Sequence, residues 1–118
     1  MTTHFANAVQ LLRYAEEKEL FNKLVQQLKK DFVLANISFD IKQNISVTDL
    51  KELLQEKIYV LLMERFPEYL NLLYIVDVPE NLFKELRVTD AVEVSDQVGF
   101  LILKREFQKV CFKEKYGL

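Results

Sequence analysis

The 118-residue chain contains one cysteine, one histidine, no tryptophan, two glycines and two prolines. A lone Cys111 cannot form an internal disulfide, and a lone His4 cannot build a metal site by itself. The two also sit near opposite ends of the chain, so no Cys–His catalytic pair is indicated. Gly99 and Gly117 form no GxGxxG or Walker pattern, which argues against nucleotide hydrolysis. Scarce Gly and Pro also exclude collagen-like and turn-dense β architectures. The longest apolar stretches, Ile58–Met63 and Leu72–Val76, fall far short of the roughly 20 residues needed to cross a bilayer. The opening residues, Met1 to Asn7, lack the basic start and apolar core of a secretion signal. These absences point to a reducing cytoplasm and to no cofactor.

Half of the residues are apolar and 29% are charged, which fits a single domain over 1–118. Net charge is −2, too small a bias to imply a strongly charged partner. Its distribution is uneven, with residues 1–63 neutral, 64–103 at −5 and 104–118 at +3. The acidic middle and the basic end could pair within the fold or between two copies.

The apolar periodicity predicts an all-α bundle of four to six helices. Phe5, Val9 and Leu12, then Leu20, Leu24, Leu28 and Phe32, recur at helical spacing. Glu16-Glu17-Lys18-Glu19 between them leaves one helix or two open, and Asn36 is the expected stop. Alternation of Ile37, Phe39 and Ile41 with polar residues predicts an extended loop over 37–47, with a small hairpin as the alternative. Ser46 or Thr48 then starts a helix with Asp49 and Glu52 in its first turn. Its residues Leu54, Ile58, Leu61 and Leu62, with Tyr59, Val60 and Met63 on the other side, mark it as the expected centre of the fold. Pro67 either kinks that helix or opens a new one. Asp77-Val78-Pro79-Glu80 resembles a capping box opening a short helix to about Arg87. Asp90 starts the last helix, expected over Ala91–Tyr116 with Gly117 beyond its end.

The segments Lys30-Asp31-Phe32-Val33-Leu34-Ala35, Asn71 to Glu80 and Lys104-Arg105-Glu106-Phe107-Gln108-Lys109 resemble those of a group of small helical proteins from Bacteroidetes-type bacteria. The likeness implies an intracellular helical protein and assigns no activity and no functional residue.

Two surfaces stand out as candidates. Val94, Val98, Leu101 and Phe112 form one apolar stripe of the last helix, opposite Phe100, Leu103, Phe107, Val110 and Cys111. This outer stripe is the expected self-association interface, since a short chain offers few internal neighbours to cover it. Lys104, Arg105, Lys109, Lys113 and Lys115, interleaved with aromatics, are candidate phosphate contacts, diluted by Glu106 and Glu114. A solvated helix end suited to its dipole is the favoured account of them. Glu52 with Glu56 and Glu64 with Glu68 read as solvated pairs rather than metal ligands. An acid–base role for Asp77, or a cleft near Tyr59, Tyr69 and Tyr74, is the remaining enzymatic possibility. The sequence therefore favours a non-catalytic interaction or structural protein, whose partner is another protein or a second copy. Weak, sequence-independent nucleic-acid binding is the alternative.

Overall fold

With only two glycines, the chain stops three of its helices on other residues. In the computed structural model, which describes residues 4–84, 86 and 90–117, Glu19, Asn36 and Asp77 all take φ between 59° and 70°. Each follows a helix: α1 (Ala8–Glu17), α2 (Phe21–Leu34) and α4 (Phe66–Val76). After each stop, the next residue returns its N–H to the final turn: Leu20 to Ala15, Ile37 to Phe32, Val78 to Leu73. That residue is apolar in all three cases, so the cap is closed by burial as well as by hydrogen bonds. The first apolar repeat is thus two helices broken at Lys18–Leu20.

Asp77 is where this pattern overturns a reading of the sequence. It ends α4 rather than capping the next helix, and α5 (Glu80–Phe83) is a single turn preceded by Pro79. Arg87, the expected end of that helix, lies outside the described residues.

The other boundaries follow local chemistry. Ser46 Oγ accepts the Asp49 N–H at 3.1 Å and opens α3 (Val47–Glu64). Pro67 sits in the first turn of α4, where its missing N–H costs nothing. Asp90 accepts the N–H groups of Val92 and Glu93 to open α6 (Ala91–Tyr116), which Gly117 closes at φ 65°. Among the described residues no strand forms. The 37–46 segment is an extended loop pinned by buried Ile37, Ile41 and Ile45, with Phe39 against the Phe32 ring at 4.3 Å.

The six helices form one all-α globule. At about 1.5 Å per residue, the 26 residues of α6 span the molecule's 37 Å length. It packs on α1, α2, α3 and α4, with α3 its most extensive neighbour. The centre is therefore α6 rather than α3. The α3 residues Leu54, Ile58, Leu61 and Leu62 are buried, while Tyr59, Val60 and Met63 on its outer side remain exposed.

Candidate functional site

The inward face of α6 runs Val94, Val98, Ile102, Glu106 and Val110 in steps of four, and all five are buried. Glu106 is a carboxyl group in the middle of an apolar row. Its side chain is 0% exposed, and neither oxygen accepts a hydrogen bond among the described residues. Helix α2 supplies its neighbour, Asp31, on the inward stripe that also carries Leu24, Gln27 and Leu28. Lys109 Nζ donates to Asp31 Oδ2 at 2.7 Å and stands 3.3 Å from Glu106 Oε1. Gln27 Nε2 donates to Asp31 Oδ1 at 3.2 Å, and Lys113 donates to Gln27 Oε1.

The two carboxyl groups titrate in opposite directions. Burial, reinforced by the hydrogen bond and charge of Asp31, pushes Glu106 up to about 9. Burial would also raise Asp31, but hydrogen bonds from Glu106 and Lys109 outweigh it and hold the group below its ordinary value. The shifts favour a protonated Glu106 beside an ionised Asp31, whose charge Lys109 balances. The buried trio is neutral overall, as a group withdrawn from water requires.

A cleft of about 380 Å³ opens between α2 and α6, lined by Lys23, Gln27, Lys30, Val110, Lys113 and Glu114 among others. Neither Asp31 nor Glu106 lines it. Through Lys109 the carboxyl pair joins α2 to α6.

The basic residues of α6 have separate fates. Arg105 donates to the Asp77 carbonyl and carboxylate, both at 3.0 Å. Lys109 is committed to the buried pair and Lys113 to Gln27. Lys104 lies over the Phe100 ring at 4.7 Å, and Lys115 over Tyr116 at 5.6 Å. The five do not converge on one phosphate-binding surface, and Glu106 is withdrawn from the surface charge. Of the four expected interface residues, Val94 and Val98 are core, Leu101 is half-buried and only Phe112 is exposed. Because α6 has neighbours on several sides at once, most of its second stripe is covered within the chain.

Other candidates are likewise dispersed. Asp77 is exposed and occupied by Arg105. Tyr69 is buried, which raises its phenol above the usual value, whereas Tyr74 is 81% exposed. Burial also raises the half-buried Cys111 thiol, leaving it a poor nucleophile. Among the described residues no three metal-ligating side chains cluster, and no helix is long and apolar enough to cross a membrane.

What does gather in one region is exposed apolar surface. Of twelve large exposed hydrophobic residues among the described residues, eight lie on α4 and the adjoining ends of α2 and α3: Val33, Leu34, Tyr59, Val60, Met63, Phe66, Leu70 and Tyr74. The segments are neighbours, since α4 packs on both helices and Asn71 Nδ2 donates to the Ala35 carbonyl at 3.1 Å. Comparison with protein-family models, curated proteins and solved structures finds no match.

Proposed function

We propose that this chain is a non-catalytic, cytoplasmic protein-interaction module that docks its partner on the outer side of α3 and α4. The observation carrying the reading is that α3 and α4 hold half of the large exposed hydrophobic residues among the described residues, Tyr59, Val60, Met63, Phe66, Leu70 and Tyr74, with Val33 and Leu34 at the end of the adjoining α2. Single exposed apolar residues are ordinary, but a cluster bordered by charge is the usual mark of an interface. Exposed Glu52, Glu56 and Glu64, with Lys57 beside them, form that border; none of the four has an ion partner among the described residues, which leaves the border net acidic. A partner offering an apolar ridge flanked by Lys or Arg matches the face in both respects.

The remaining readings have less support. The buried carboxyl pair does not line the cleft between α2 and α6, and most of the cations of α6 are engaged inside the fold. Hydroxyl-radical footprinting tests the proposal, because Tyr59, Met63, Phe66 and Tyr74 are readily oxidised side chains. At low micromolar concentration they should be protected in an extract of the source cells relative to the purified protein, and Leu70→Glu should remove the protection. Equal oxidation in both settings overturns the docking face.

A further inference from the structure

Resting on that docking face, we infer that its occupant is the C-terminal end of α6 from a second copy of the chain, packed head to tail. Phe112 and Tyr116 lie one turn apart there, both more than half exposed, with ring centroids 4.7 Å apart. They form a paired aromatic ridge off the inward row of α6. Lys113 and Lys115 flank the ridge, and neither has an acidic partner among the described residues. The tip is thus aromatic and basic, while the α3–α4 face is apolar with a border of three unpaired carboxylates against one unpaired Lys57. Each supplies what the other lacks.

Charge also selects the mode of contact. Two α3–α4 faces meeting about a two-fold axis would bring Glu52, Glu56 and Glu64 of both copies together with only one unpaired Lys57 from each to offset them, and that excess of like charge disfavours the contact. Two basic tips meeting would repel in the same way. Joining tip to face removes both conflicts. Such a contact is heterologous: each copy keeps one unused tip or face, so assembly continues into a ring or an open chain.

Sedimentation velocity on the full chain tests the assignment. Wild type should associate with rising concentration, and more weakly at high salt. Leu70→Glu, which damages the face, and Phe112→Glu, which damages the tip, should each weaken association by at least about tenfold. Both positions are exposed, and thermal melts of each variant check its folding. Mixed in equal amounts, the two should recover a 1:1 dimer that grows no further, because one intact tip and one intact face remain. Lys115→Glu provides a second route: it should weaken association, and Glu56→Lys/Glu64→Lys in the other copy should restore it.

Wild type monomeric at high micromolar concentration overturns the inference. So does a Phe112→Glu variant that assembles like wild type, or a mixture that fails to recombine. If wild type is monomeric while the footprint in cell extract persists, the docking face stands and its occupant is a different protein. If Leu70→Glu leaves both footprint and assembly unchanged, the face itself is wrong.

Discussion

Glu106 is a carboxyl group with 0% exposure in a row of Val and Ile, where burial and the neighbouring Asp31 favour its protonated form. Its folded pKa of about 9 lies above the unfolded value near 4.5. The folded state therefore holds a proton that the unfolded chain releases. The stability linked to that proton is fully present below about pH 4.5 and is lost progressively as pH rises to about 9. Asp31 is shifted the other way, so its contribution is present above 3.8 and lost as pH falls through its lowered folded value. Together the pair favours the fold most in mildly acidic solution. Urea melts between pH 5 and 9 should show wild-type stability falling with pH, and Glu106→Gln, which cannot ionise, should flatten that fall. An identical slope in the variant would show that Glu106 is ionised in the fold. A positional signal for this residue exists in the sequence. Glu106 stands four residues from both Ile102 and Val110, and Asp31 four from Gln27 on the Leu24–Leu28 stripe. What the sequence does not carry is which side of each helix turns inward.

At the scale of single elements, α6 contains a glycine where helix propensity argues against one. Gly99 is buried beside the inward row, and a Cβ built on it would meet Ile58 Cδ1 at 3.5 Å, an ordinary contact distance. The space therefore admits alanine, and a helix-interior glycine costs up to about 1 kcal/mol relative to alanine. Gly99→Ala should stabilise the protein by roughly 0.5–1 kcal/mol, read as a higher denaturant midpoint with unchanged slope. A lower midpoint would mean that α3 and α6 cannot accommodate even a methyl group. Boundaries of the helices were legible where one side chain decides them within a single turn: Ser46, Asp90, Gly117, and Asn36 as a stop. Asp77 was not, because an aspartate before Val-Pro-Glu suits either an N-cap or a left-handed stop. Which of the two forms depends on how far α4 runs. The α3–α4 face was half legible. Tyr59, Val60 and Met63 marked α3 as apolar on both sides, but only the packing shows that the second side is left open.

For the whole molecule, the decisive quantity is how many cations remain free once the fold has taken its share. Arg105 is bound to Asp77 and Lys109 to Asp31. Lys23, at the start of α2, pairs with Glu114 at 2.6 Å, so one acidic residue of the C-terminal segment is also occupied. Among the described residues Lys115 and Lys113, the latter bonded only to the neutral Gln27, have no acidic partner, and Lys104 lies over an aromatic ring. Two or three phosphates are all that such a set can neutralise, against a chain of net charge −2. Each neutralised phosphate steepens the dependence of log affinity on log salt by about 0.9 for duplex DNA. Filter binding of duplex DNA should therefore give a slope no steeper than about −3, no sequence preference, and negligible retention at physiological salt. Lys113→Glu/Lys115→Glu should abolish what binding there is. Arg105→Ala should change it little, because that guanidinium already spans two acceptors on Asp77. A slope near −6, or binding insensitive to Lys113 and Lys115, would require a cationic surface that the fold does not present on α6.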